Sequence, residues 1–566
     1  MKNYILYWII AFLWAIIAWM MFDFQFFGMT NQNSHMWWMS GMMWNNEDNA
    51  MKEHCKMMPE MPWCEKYSQT DNNQNQKTLN TEVLTNDSET VDAKTSPIVN
   101  LKNGDSYDIT VQKVRKTILG KSKIMLSYNG SIPGPMIRIP KGSEITFRVH
   151  NTVAGIETTI HPHWLRLDNT YDGVPKDQGG FQDPIKPGTT YEQKLKFPDV
   201  GLFWYHPHTR DDFEQELGEY GTFLVYDPNE KTVTDSESVL VLDDILLENG
   251  QIADYSKDVV NHTLMGRYGN TFMVNGNTDF SLDMKAWEVK RLYILNSANA
   301  RPFRISIPWI QMKLVGGDNG YYQKETMITS LIIAPAERYI VDIYAEKTGD
   351  FPLTHTGVGT PITLGKIKVS ESSVEKQAFV KDFQTLQTHS ILTGIPDVTP
   401  FFTKTPDKSI TLSMNMPWME GMGNMSGMMH MNDSDTIEWE DTMSMMNARS
   451  TNKTITWEIV DDETQKKNMD IDWSFKKGSL VKIHIFNDPK SMHPMQHPFH
   501  MHGQRFLVLE TNREKNTNLV WKDTVLIPKW DSIDILVDMS NPWVWMAHCH
   551  IVEHLLSGMM FHYTVK

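Results

Sequence analysis

Four His-x-His pairs constrain this chain more than any other feature: His161 and His163, His206 and His208, His500 and His502, His548 and His550. In an extended strand, residues two apart project from one face about 6.6 Å apart, at ~3.3 Å of rise per residue. Each pair can therefore present two imidazoles to adjacent metal ions. A single pair of this kind is more often a surface or structural feature. Four pairs, two early and two late, reverse that reading, and with His497 and His554 they gather half of the twenty histidines into four clusters.

The last cluster is the most specific. Cys549 lies between His548 and His550 and so projects to the opposite face of their strand, which makes two different metal sites covalently adjacent. With His497, His554 and Met559 it supplies a thiolate, two imidazoles and a weak thioether, the ligand set of a blue electron-transfer copper. The eight remaining histidines of the clusters can hold three further coppers. Zinc fits poorly, because a structural zinc site draws four ligands from one local region and zinc cannot pass electrons along the Cys549 link.

Length and texture supply the scaffold. From Ile98 onward the sequence runs in short alternating stretches such as Glu144 to Val149, Ser238 to Leu242 and Arg291 to Leu295, separated by Gly, Pro, Asn and Asp turns. That pattern predicts an all-β chain of packed antiparallel sheets with only short helical pieces between strands. Cuts near residues 228 and 375 give three similar sandwiches, 98–228, 229–375 and 376–566, the last with a Met-rich insertion at 412–446. The middle unit has scattered histidines at 262 and 355 and no cysteine, which reads as a spacer without metal.

The N-terminal part differs. Tyr4 to Phe22 run without a charge, enough to cross a bilayer as a helix, and no small-residue cleavage site is evident near Ala18 to Met21. We expect residues 1–28 to be an uncleaved anchor in the cytoplasmic membrane, with the rest of the chain outside it, in the periplasm or at the cell surface, or secreted if the segment is cleaved. Residues 29–64 are rich in Met, Trp and His and contain Cys55 and Cys64, a composition suited equally to metal binding and to seating at a membrane interface. Residues 65–97 read as a polar, disordered tether.

Over roughly residues 98–566 the chain resembles the multicopper oxidases, the family of laccases, ascorbate oxidase and bacterial cuprous oxidases. The matching stretches are His-Pro-His-Trp at 161–164, Trp-Tyr-His-Pro-His at 204–208, His-Pro-Phe-His-Met-His at 497–502, and His-Cys-His-Ile-Val-Glu-His at 548–554 with Gly558 and Met559. The resemblance implies three Greek-key cupredoxin-like sandwiches with a copper cluster wedged between first and last. It makes His497, Cys549, His554 and Met559 the type 1 copper ligands, His161 and His500 the type 2 ligands, and His163, His206, His208, His502, His548 and His550 the type 3 ligands, four coppers in all. A substrate would give single electrons at the type 1 copper, through the exposed edge of a histidine, and the electrons would cross Cys549 to reduce O2 to water. Asp172 stands where the family keeps a catalytic carboxylate near the cluster. The chain departs from the family at Trp164, where many relatives have Gly, and at Leu555, where some cuprous oxidases carry a proton-donating Glu. Glu553 would be a badly facing substitute on a strand.

Substrate class comes from sulfur and charge. Met414 to Met446 contain eleven methionines and His430, interleaved at 421–427 with Gly, Asn and Ser that cannot build a core. Soft thioethers select Cu(I), so Met422, Met425, Met428, Met429, His430 and Met431 are candidate Cu(I) substrate sites. The expected activity is oxidation of Cu(I) in copper tolerance. Alternatives are laccase-type oxidation of phenols or aromatic amines, or a copper-binding protein without catalysis. A formal net charge of −16 with no basic block excludes nucleic acid as a partner.

Overall fold

The computed structural model describes residues 90–566 apart from 164, 373–378, 417–434 and 442–453, all within the unit Gln74–Lys566. The expected anchor, the Met-rich stretch 29–64, most of the tether, Trp164 and the six candidate Cu(I) residues at 422–431 lie outside the described residues. Among the described residues no helix is long and apolar enough to cross a membrane.

Alternation in sequence becomes alternation in burial. The strand Glu144–Asn151 turns Ile145, Phe147 and Val149 inward and leaves Glu144 exposed, the period of two that a half-buried strand requires. Each third of the described chain contributes a pair of such sheets: five and five strands, then six and five, then seven and five, with one further two-stranded ribbon in the middle third.

The sheets are mixed rather than antiparallel, and this corrects the expectation from sequence. Ser106–Ile118 runs parallel to Glu144–Asn151, and Met136–Pro140 parallel to Gly221–Tyr226. The same two parallel joins recur as Ser236–Ile245 with Val289–Asn296 and Phe280–Lys285 with Ile362–Ser370, then as Lys408–Asn415 with Leu480–Asn487 and Trp473–Phe475 with Met560–Val565. A hairpin cannot make a parallel pair, so the chain must leave one sheet, visit the other and return, as in a Greek key. Local turn signals do not carry that information.

Two boundaries shift. Val91–Asp92 pairs with Val114 and Arg115, inside the stretch read as tether. At the other boundary, Met414 sits inward on the strand Lys408–Asn415, and Ile437 and Trp439 are buried, with the Trp439 carbonyl accepting from Arg301. The described parts of the presumed insertion 412–446, residues 412–416 and 435–441, therefore contribute to packed structure.

One hydrophobic core runs through the first and last thirds together. It includes Phe147, Tyr205 and Phe223 from the first, Trp457, Phe499, Trp545 and Cys549 from the last, and Leu264 and Met265 from the helix Val259–Met265 of the middle third. Most of the rest of the middle third has its own core. The site described next lies where the first and last thirds share that core.

Candidate metal centre

Two strand pairs face each other across this junction. His161–His163 runs antiparallel to Gly201–His206, with His161 opposite His206 and His163 opposite Trp204. His497–Met501 runs antiparallel to Trp543–Cys549, with His500 opposite His548 and Phe499 opposite Cys549. Eight imidazoles meet: the His163 and His500 rings stack at 3.9 Å between centroids, His161 and His502 lie at 4.3 Å, and His208 and His548 at 5.4 Å. Ligand atoms of His208, His502 and His548 lie within 4.8 Å of one another, as do those of His161, His163 and His206 and those of His161, His500 and His502. His550 joins through His163 at 5.3 Å and His206 at 5.5 Å between ring centroids.

Cys549 and its partners form a second site on the other face of the same strand. Its Sγ lies 3.5 Å from His497 Nδ1 and 3.6 Å from His554 Nδ1. Met559 is fully buried beside them; its amide donates to the His554 carbonyl at 3.0 Å and its carbonyl accepts from Cys549 at 3.1 Å. Ile551 N–H points at the sulfur at 3.4 Å.

The protonation pattern suits metal ions. Burial, reinforced by neighbouring imidazoles, holds His163, His206, His208 and His550 well below the ordinary histidine range, and burial takes His548 to about 4 and His497 to about 3. Neutral imidazole is the ligating form. Burial pushes the Cys549 thiol up, so a bound cation is what would hold it as thiolate. His161 Nε2, His208 Nε2, His500 Nε2 and both ring nitrogens of His163, His206 and His550 are buried without a hydrogen-bond partner. A buried polar atom left unpaired costs about 1–3 kcal/mol. A concentration of such atoms pointing at one another fits a set of bound metal ions, and the donor set fits copper.

Asp172 sits against the cluster as expected. Its Oδ2 accepts from His502 Nδ1 at 2.9 Å, its Oδ1 lies 3.4 Å from His161 Nδ1, and its carbonyl also meets His161 Nδ1. Burial would raise this carboxyl, but His502 and His161 outweigh burial and hold it well below the usual range. The residue also closes the short turn Asn169–Tyr171.

Sequence reasoning missed a second carboxylate. Asp523 Oδ1 lies 3.6 Å from His163 Nδ1 and 3.5 Å from His500 Nδ1, and its carbonyl accepts from His500 Nδ1 at 2.9 Å. Behind it stands Arg338 of the middle third, paired with both carboxylate oxygens; both side chains are wholly buried. The available signal was an arginine opening the wholly buried strand Arg338–Tyr344, where Asp342 is the other charged residue.

Three expectations change. Neither imidazole of the Cys549 site presents an exposed edge: His497 is 1% and His554 0% exposed. His554 Nε2 faces the Leu264 carbonyl at 3.2 Å, and Trp457 lies over the ring at 4.0 Å while donating Nε1 to Thr263 O at 2.7 Å. The middle third is therefore more than a spacer, since its helix Val259–Met265 closes this site. Glu553, expected on a strand, lies instead on the helix Val552–Leu556; it accepts from Asn299 at 2.9 and 3.1 Å, and burial raises it to about 8. Leu555 packs with Val174 and Met546.

Family models described as multicopper oxidase match residues 110–230, 238–369 and 436–566. Multicopper oxidase MmcO of Mycobacterium tuberculosis is 26% identical over 80% of this chain and 85% of its own length. Copper resistance protein A of Pseudomonas syringae pv. tomato is 26% identical over 46% of this chain and 48% of its own. The solved structure of a multicopper oxidase from Campylobacter jejuni, titled a metallo-oxidase, superposes with a TM-score of 0.63 at 24% identity, covering 85% of this chain and 98% of that one, and it supports cupredoxin-like sandwiches for the fold. With the matched models spanning all three thirds and the buried histidine and cysteine donors in place, the chain belongs to the multicopper oxidases, copper-binding oxidoreductases.

Proposed function

We propose that the protein holds four coppers and couples one-electron oxidation of Cu(I) to the four-electron reduction of O2 to water, in copper tolerance at the cell envelope. His497, Cys549, His554 and Met559 would bind the type 1 ion, His161 and His500 the type 2 ion, and His163, His206, His208, His502, His548 and His550 the type 3 pair. The observation that carries this reading is the two-faced strand: Cys549 meets His497 and His554 on one side while His548 and His550 enter the histidine cluster on the other. When bound, the coppers supply electron storage and the reduction of O2.

The chain supplies the rest. Cys549 offers a through-bond route to both flanking histidines. Asp172 fixes His502 and orients water beside the cluster, the role of a carboxylate behind a metal-bound imidazole. Asp523, anchored by Arg338, does the same for His163 and His500. Trp457 and the Leu264 carbonyl keep water from the Cys549 site.

Three features support Cu(I) over a phenol. Soft ligands crowd the sequence at 422–431. Both imidazoles of the Cys549 site are covered, which suits a small ion better than a planar ring. Copper resistance protein A is among the relatives. The N-terminal segment would anchor the catalytic part outside the cytoplasmic membrane.

The test is O2 uptake by the copper-loaded full chain with Cu(I) or a phenol as donor, intact and with 417–434 replaced by a Gly-Ser linker, which spares the packed flanks. Faster uptake on Cu(I), lost with the segment, supports the assignment. Preference for the phenol, unchanged by the replacement, would leave a laccase.

A further inference from the structure

From the far side of Asp172 a narrow crevice opens, lined among others by Asn169, Gly179, Phe181, Met546 and His562. Its room for water is about 10 Å³, close to the minimum that one water molecule needs. At its inner end is the Asp172 carboxylate, 7% exposed and bonded to His502. At its outer end are Phe181, 46% exposed, and the half-buried His562.

The placement of His562 is tightly specified. It lies on the strand Met560–Val565, opposite Met546. Its ring rests against Gly179, where an added Cβ would fall 2.1 Å from Cε1, so a larger residue there would displace the imidazole. Among the described residues its ring nitrogens have no hydrogen-bond partner, which leaves them to water. The strand Trp543–Cys549 faces it with uncharged Val544 and Met546, and Asp172 is the charged group lining the crevice with it. Burial lowers the imidazole's affinity for a proton, and the Asp172 charge opposes that.

We propose that His562 is the proton entry residue for O2 reduction, passing protons through the crevice water toward the cluster, with the Asp172 side chain orienting that water. This rests on the functional reading above. Each proton leaves the His562 imidazolium for the water, the water yields one of its own to the oxygen being reduced, and the neutral imidazole is recharged from solvent. Electrons come from the donor substrate, one for each proton, four of each per O2. A histidine suits the task because its ordinary pKa lies near neutrality. It also supplies a route in a chain that has Leu555 where some relatives carry a glutamate.

Two measurements test it. In the metal-free full chain with labelled histidine, the NMR titration of His562 should move to lower pH in Asp172→Asn, because the carboxylate that favours its charged form is gone. No movement would overturn the coupling whether or not the protein proves to be an oxidase. In the copper-loaded chain, His562→Ala should lower O2 uptake by about a hundredfold, the low end of general acid catalysis. Copper content and anaerobic reduction of the Cys549 site should be unchanged, and added imidazole should restore the rate. Full activity in His562→Ala, or a loss that imidazole does not repair and His562→Gln does not share, would overturn the proposal in favour of a packing role. Absence of O2 uptake by the parent protein with any donor would instead sink the functional reading, leaving the NMR result to stand alone.

Discussion

The two faces of the strand Trp543–Cys549 make opposite kinds of site from neighbouring residues. The face carrying His548 and His550 looks into a polar chamber where Asp172, Asp523, Gln178 and a backbone carbonyl each meet a ring nitrogen. The face carrying Cys549 looks into an apolar one, walled by Trp457, Ile551 and Met559, with Leu264 O as the contact on His554. Under the proposed function O2 is reduced in the first chamber, a reaction that consumes protons as well as electrons and so needs fixed charge and an inlet. Electron transfer needs neither, and a dry environment limits the reorganisation that accompanies a change of charge.

The largest effect expected is from cutting the link between them. Cys549→Ser should abolish O2 uptake and the thiolate-to-copper visible absorption and lower the bound copper by one ion, while the type 2 signal in electron paramagnetic resonance persists. Loss of that signal as well would mean that the two chambers are one cooperative unit rather than separate sites.

A smaller effect tests the polar side alone. Asp523→Asn removes the bidentate partner of buried Arg338 and leaves Asp318, 3.7 Å away, as its remaining counter-charge; a broken buried pair costs about 3–5 kcal/mol. Urea unfolding of the metal-free protein should register that loss, while the visible spectrum of the Cys549 site in the folded, copper-loaded variant keeps its shape. A loss under about 1 kcal/mol would show that Asp318, which already lies 3.7 Å from Arg338, takes over the pairing.

The smallest concerns pH. Behind His208, Thr209 donates to Glu214 at 2.8 Å, and Thr158 meets Glu219 at 3.4 Å. Burial raises Glu214 from its usual 4.5 to about 7, and burial with the neighbouring Glu214 raises Glu219 well above its usual value. The folded state thus keeps protons that the unfolded chain releases near 4.5, and the stabilisation present below that pH is lost as pH rises through about 7. Asp172 works the other way: its depressed pKa contributes stability above its usual 3.8 that is lost on acidification. The buried neutral histidines act in the opposite sense to Glu214, because the unfolded chain takes up protons on them below about 6.5. The test is therefore comparative: between pH 6 and pH 8.5 the unfolding temperature of metal-free Glu214→Gln should rise relative to that of the parent protein. An unchanged difference between the two would remove Glu214 as a source of the pH dependence.

Much of the centre was legible because its donors are rare residue types in fixed short spacings. His-x-His on a strand and Cys549 between two histidines dictate both faces before any fold is known. Alternation likewise foretold the strands at Glu144–Asn151 and Val289–Asn296. What was not legible depends on distance along the chain. Arg338 and Asp523 are 185 residues apart, and the Leu264 carbonyl reaches His554 across 290; no local pattern marks a backbone oxygen as a wall. The parallel strand pairs escaped for the same reason. Glu553 was misplaced because the strand was continued past Cys549, where Ile551 begins a helical turn.

The register His500 opposite His548, with His163 stacked on His500, also sets a timetable for biosynthesis. A ribosome has made the first four cluster histidines by residue 208, but their partners begin at 500. For nearly three hundred codons the nascent chain carries half a metal site that can grip an ion only weakly and interchangeably. Selection among metals is thereby deferred until the last third folds against the first, so a chain abandoned partway never becomes a committed copper protein.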